Sequence, residues 1–127
     1  MIKMIFCVKR RPDITPEDFY DYWLNRHGPL VKSKTAALDI RRYVQSHTVD
    51  AGLGDGVSAA RGMKQTGFDG IAELWWDDMD AFQAILESDA GQAASLELAE
   101  DEARFIDMEA STIFFTQEHE VVPGGKA

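Results

Sequence analysis

The chain opens on a short apolar run, residues 2–8 (IKMIFCV), in which β-branched and aromatic side chains cluster before a break at Pro12 and Asp13. That pattern predicts a buried first strand. A helix start follows at Thr15-Pro16-Glu17-Asp18: a threonine N-cap, a proline preset for the first helical position, and two acids beside the positive end of the helix dipole. Phe19, Tyr20, Trp23, Leu24 and His27 then recur at three- and four-residue spacing and share one face, with Asp18, Asp21 and Asn25 opposite. Gly28-Pro29 is expected to interrupt this helix, glycine suiting a left-handed terminal position and the residue before proline resisting the α region. A kink or restart through residues 30–38 should follow.

Residues 40–49 (IRRYVQSHTV) read as a strand with Tyr43, Gln45 and His47 on one side and Arg42, Val44, Ser46 and Thr48 on the other. Residues 50–67 hold five glycines with little periodicity and are expected to form a long loop. Its Gly52-x-Gly54-x-Gly56 run lacks the spacing and the strand–loop–helix context of a nucleotide fingerprint. Residues 68–76 (FDGIAELWW) are a third strand, with Phe68, Gly70, Ala72, Leu74 and Trp76 on one face and Asp69, Ile71, Glu73 and Trp75 on the other. The small residues at 70 and 72 leave room for a helix to approach. Asp77-Asp78 caps a helix over 79–87 with Phe82, Ile85 and Leu86 inward, a break falls at 88–91, and a second helical piece covers about 93–106. Residues 108–116 form the last strand, and a polar tail from about 117 is expected to be largely extended.

The order β-α-β-β-α-β is that of an α+β, ferredoxin-like fold: a four-stranded antiparallel sheet with both helices on one face. Strands apolar on both sides cannot leave the other face in water, so back-to-back pairing into a homodimer is expected. At 127 residues, 45% hydrophobic, the chain suits one domain spanning 1–127.

Charge and cysteine content narrow the partners. A formal net charge of −9, from 22 acidic and 13 basic residues, opposes nucleic-acid binding. Cys7 is the only cysteine, which excludes an intramolecular disulfide and fits a reducing, cytoplasmic setting. The N-terminal apolar span is followed by Arg10-Arg11 rather than a cleavage site, and no apolar run reaches the ~20 residues that span a bilayer, so no membrane association is expected.

Three histidines spread over a helix end, a strand and the tail offer no spaced metal-ligand motif, so neither a metal nor a cofactor is expected. Acid–base chemistry remains. His47, with Gln45 and Tyr43 on the same strand face, combines a proton shuttle, a fixed donor–acceptor and a phenol; the same histidine equally suits an exposed edge strand. Asp69 and Glu73 share a face with apolar neighbours that would raise a carboxyl pKa, or are a turn residue and an ion-paired acid. His27 reaches a ligand, or simply serves the carbonyls at a helix end. His119 reads as solvated.

The segments DITPEDFYDYWLNRHGPLV, RRYVQSH and FDGIAELWWDDMDAF resemble the EthD family of the dimeric α+β barrel superfamily, over most of the chain from Lys3 to about Thr116. The resemblance implies a dimer and makes His27 a pocket residue. Relatives on this fold include cofactor-free decarboxylases, cyclases and isomerases, so the activity it implies is acid–base catalysis on a small aromatic, polyketide-like or lactone-like metabolite. In that scheme His47 is the principal acid or base, Tyr43 and His27 polarise or orient, and Trp23, Phe6, Met4, Gln45 and Trp75 bind the substrate. A non-catalytic carrier and a cofactor-free monooxygenase are the alternatives.

Overall fold

A computed structural model describes residues 1–49, 51–64 and 67–125. The elements in chain order are β1 (Ile2–Val8), α1 (Pro16–Tyr22), a π-helical turn (Trp23–His27), α2 (Gly28–Ser33), β2 (Arg42–His47), α3 (Ala51–Ala60), β3 (Gly70–Trp76), α4 (Met79–Glu87), α5 (Asp89–Glu102) and β4 (Thr112–Thr116). The strands form one antiparallel sheet in the order β2-β3-β1-β4, the ferredoxin-like arrangement predicted by the pattern.

Register decides which side chains meet the helices. Phe6 pairs with Ala72 and Val8 with Gly70, while Gln45 and His47 of β2 face the same two β3 positions. The even positions of β1 therefore lie under the helices. There Phe6, Val8 and Ala72 are buried with Phe19, Trp23, Phe105 and Ile106, and a second cluster forms around Val31, Leu38, Trp76, Ile85 and Leu98. Tyr43 and Leu74 touch both clusters.

Several boundaries differ from the expected ones, each for a local reason. Gly28 does not end the first helix: it has helical φ −52°, and Pro29 sits in the first turn of α2, where its missing N–H leaves no bond unmade. The intervening π turn widens the helix so that the Gly28 N–H reaches the Trp23 carbonyl. The changed phase leaves Leu24 55% exposed, outside the buried stripe in which it was expected. The glycine-rich stretch is not wholly a loop but contains α3, whose Leu53 and Val57 are exposed. Asp50, Gln65 and Thr66 of that expected loop, and Lys126 and Ala127 of the tail, lie outside the described residues.

Helix α5 begins at Asp89, earlier than expected, because the Ser88 side chain accepts from the Gly91 N–H at 2.9 Å and acts as N-cap. Gly91 is thus no breaker but a point of close packing. Leu86, expected inward, is half-exposed, since α4 buries Ile85 and sets Phe82 against Trp76 instead. Strand β4 starts only at Thr112, after Ser111 has bonded the Lys9 N–H and the Asp107 carbonyl.

The other sheet face carries Ile5, Val44, Ile71 and Phe114, with Glu73 paired to Lys3 at 2.8 Å. From the tail, Glu118 accepts from Trp75 Nε1 at one corner of this face, where Lys3 and Arg42 also lie over the Trp75 ring.

At Gly70 the π turn approaches the sheet closely through Trp23. A Cβ there would lie 2.4 Å from the Ser46 carbonyl and 2.6 Å from the Trp23 ring. Gly70→Ala should therefore cost about 1–3 kcal/mol in urea unfolding. Gly54→Ala in α3, where an added Cβ meets nothing within 4 Å, should be neutral or stabilise by up to about 1 kcal/mol.

Candidate active site

Between the sheet and the helices lies a cavity of about 30 Å³, lined from the sheet by Phe6, Val8, Tyr43, Ala72 and Leu74 and from the helices by Trp23, His27, Val31, Leu98, Glu102 and Ile106. Its walls are apolar except for the Trp23 indole and three side chains, His27, Tyr43 and Glu102. In this form it has room for something of water size.

His27 is buried, at 4% exposure, although it stands on a helix. Its Nδ1 lies 2.7 Å from Asp101 Oδ2 on α5. A carboxylate accepts but does not donate, so Nδ1 carries the proton of the neutral ring and Nε2 presents its lone pair. Burial pushes the imidazole below its ordinary pKa, against the upward pull of Asp101, and the ring is neutral at pH 7. Asp101 also accepts from the Tyr22 hydroxyl at 2.5 Å and from Arg104 Nη1 at 3.0 Å. Burial alone would raise its pKa, but these three donors outweigh burial and hold the carboxyl below its usual value.

Glu102, the next residue, has no such donors among the described residues. Its Oε2 stands 3.8 Å from His27 Nε2, too far for a hydrogen bond. Burial, reinforced by the charge of Asp101, raises its pKa to about 7. Two adjacent carboxyls are thus driven apart, one ionised and one poised between its forms.

On the sheet side, Gln45 Nε2 donates to the Tyr43 hydroxyl and to the Trp23 carbonyl, both at 2.8 Å. Because that hydroxyl oxygen accepts from Gln45, its own proton is free to be donated elsewhere. Burial raises the Tyr43 pKa to about 12, so the phenol stays protonated. Gln45 Oε1 lies 2.8 Å from His47 Nε2, and the imidazole is stacked on Trp23 at 4.6 Å and on Tyr20 at 5.1 Å. Burial lowers the His47 pKa.

A family model for the EthD domain matches residues 11–109 of this chain. The chain belongs to the EthD family. Solved structures with the same fold include an ethyl tert-butyl ether D (EthD) family protein from Bacillus halodurans, 20% identical, covering 94% of this chain and 99% of its own, at a TM-score of 0.62. A protein from Arabidopsis thaliana is 10% identical over 97% of this chain and 100% of its own, at a TM-score of 0.61. A third, from Bacteroides fragilis, is described as a dimeric protein of unknown function with a ferredoxin-like fold; it is 14% identical over 92% of this chain and 95% of its own, at a TM-score of 0.58. At these identities the likeness concerns the fold. No curated protein matches the chain.

The fold of this EthD chain brings Trp23, Phe6, His27 and Tyr43 to the cavity wall, with Gln45 bonded to Tyr43 just behind it. His47 sits further along β2, sandwiched between two aromatic rings, and is not among the lining residues. Met4 shares the inner face but packs in the second cluster. Glu73 and Trp75 lie on the opposite face of the sheet, where Glu73 is ion-paired and Trp75 is covered by Arg42, Lys3 and Glu118. Asp69 precedes β3 and clasps the Arg10 N–H at 2.7 Å, while its carbonyl accepts from Tyr20. His119 is exposed.

The two acids at the centre of the arrangement, Asp101 and Glu102, have no place in the pattern-based reading. One signal was available: LAEDE puts acids in the last turn of a helix, against the negative end of its dipole, where they need a separate reason. Among the described residues no group of three or more His, Cys, Asp or Glu side chains is arranged to hold a metal.

Glu102 binds a proton more tightly in the folded chain than unfolded. Between its unfolded pKa near 4.5 and its folded value of about 7, its contribution to stability falls as pH rises, and above that it stays low. Urea midpoints at pH 5 and pH 8 should show Glu102→Gln gaining on the wild type at the higher pH; equal differences at both would mean an unshifted carboxyl.

Proposed function

We propose that the chain is a cofactor-independent enzyme of the lyase or isomerase type, moving protons on a small aromatic, polyketide-like or lactone-like metabolite. The supporting observation is that two titratable groups face one enclosed space: Glu102, with a pKa of about 7, and His27, whose Nδ1 is occupied by a buried carboxylate. In this reading ionised Glu102 takes a proton from carbon next to a carbonyl. Tyr43, kept protonated and with its oxygen already accepting from Gln45, donates to the developing enolate oxygen. Glu102, protonated by that step, returns the proton to the isomerised or decarboxylated carbon, and the Nε2 lone pair of neutral His27 accepts a hydrogen bond from the substrate. His47 is a support for the Gln45–Tyr43 pair in this scheme, rather than the base. A substrate larger than the cavity enters only if the side chains around it part.

A second reading, a carrier of hydrophobic molecules, draws on the largely apolar lining. Deuterium incorporation from D2O into enolisable β-keto acids and butenolides, followed by NMR, separates the two. The wild type should accelerate exchange, with a rate that climbs through pH ~7 as Glu102 ionises, and Glu102→Gln should lose about 10²–10⁴-fold. His47→Ala should lose far less. Binding without exchange would leave the carrier.

We further propose a homodimer formed through the sheet face that carries Ile5, Val44, Ile71 and Phe114. Ile71 and Phe114 are 37% and 49% exposed in the single chain, side by side with other apolar groups, and the Bacteroides fragilis relative is described as dimeric. Light scattering after size exclusion should give a mass of two chains for the wild type and one for Phe114→Glu. A variant that remained dimeric would place the contact elsewhere.

A further inference from the structure

A second, larger concavity lies on the surface beside the cavity. It has a volume of about 470 Å³ and runs between α2 and the start of β2, lined among others by Leu24, Gly28, Lys32, Arg42, Tyr43 and Gln45. Its size suits a small organic ligand. Tyr43 lines both spaces, so one phenol ring is wall to the groove on one side and to the His27–Glu102 cavity on the other. Gly28 keeps that wall thin: a Cβ there would stand 3.3 Å from Gln45 Nε2.

The charges along the groove are unusual for a chain with a formal net charge of −9. Other cations are largely neutralised: Lys34 pairs with Glu97 at 2.9 Å, and Arg41, which also lines the groove, pairs with Asp77 at 2.8 Å and Asp39 at 3.5 Å. Lys32 has no ion pair among the described residues and is exposed. Arg42 lines the groove near its backbone, but its guanidinium lies over the Trp75 ring at 4.7 Å on the opposite face of the sheet. Leu24, half-exposed, adds apolar surface beside Lys32. An ammonium next to an isobutyl group and a phenol ring fits a carboxylate attached to an apolar body.

We propose that this groove binds the carboxylate end of an organic acid, with Lys32 as its cation and with Leu24 and the Tyr43 ring against the aryl or alkyl part. The substrate class named above is thereby narrowed to carboxylate-bearing metabolites. This rests on the acid–base reading only in making the ligand a substrate; the binding site itself does not depend on it.

The test is an amide-resolved NMR titration of the full chain with sodium benzoate and, separately, benzyl alcohol, which has the same ring and no charge. Benzoate should shift the amides of Gly28, Lys32, Arg42 and Gln45 saturably and bind at least about fivefold tighter than the alcohol, the preference shrinking as salt rises. Lys32→Gln, a surface change that leaves the core intact, should weaken benzoate at least about threefold and leave the alcohol unchanged. Equal binding of the two probes, shifts confined to other residues, or a Lys32→Gln chain that binds benzoate normally would each overturn the site. Benzoate binding to Glu102→Gln should match the wild type, so a groove that binds while exchange catalysis is absent counts against the acid–base reading alone.

Discussion

The site depends most on a buried bond between the two halves of the helical layer: the 2.7 Å hydrogen bond between His27 and Asp101, residues 74 apart in the chain and both nearly inaccessible to water. Breaking such a pair by removing one partner costs far more than the pair's net contribution, because the survivor is left buried and unserved. The same bond fixes the imidazole tautomer, aims Nε2 at the cavity and anchors the end of α5, and so sets the position of Glu102 one residue later. Tyr22 and Arg104 complete the ring of donors, which is why Asp101 tolerates both burial and the negative end of its own helix.

The sheet side of the site depends on a different constraint, the ring of Pro29. A regular α-helix running through 25–29 would press the proline ring against the carbonyl one turn back. Widening to a π turn relieves this and leaves the Trp23 carbonyl where it accepts from both the Gly28 N–H and Gln45 Nε2. The amide of Gln45 is thereby oriented, its second hydrogen goes to Tyr43, and its oxygen faces His47. The proline thus favours, through the Trp23 carbonyl and the Gln45 amide, an orientation in which the phenol oxygen accepts from Gln45 and keeps its own proton available.

The strands were legible because period-two alternation survives any tertiary context: residues 2–8 and the shared face of Tyr43, Gln45 and His47 are found as the pattern predicts. Of the helix stripe, Phe19, Trp23 and His27 are buried where the spacing placed them, and Leu24 alone went to the surface beside the π turn, a local irregularity that spacing at 3.6 residues cannot anticipate. Glu73 and Asp69 look equivalent on paper, since both sit near apolar neighbours. The ion pair with Lys3 and the clasp on Arg10 arise only from strand order and register. Asp101 and Glu102 were hidden because a charged helix end reads as solvated, and only the closing of α5 over His27 removes the water.

The arrangement of these two acids carries a further consequence. A protein selected for stability alone has no use for a carboxyl whose pKa has been raised to about 7 in an apolar recess, since a glutamine or a leucine there would avoid the desolvation. Nor does the sequence lack donors to stabilise an ionised Glu102: Tyr22 and Arg104 lie on Asp101, one residue away. Among the described residues the donors are concentrated on Asp101, which separates the pair into an acid held below its usual pKa that orients the imidazole and a group that titrates near neutrality. A divergence of this kind, created by environment rather than by residue type, is what assigns different roles to two like acids in a site that transfers protons.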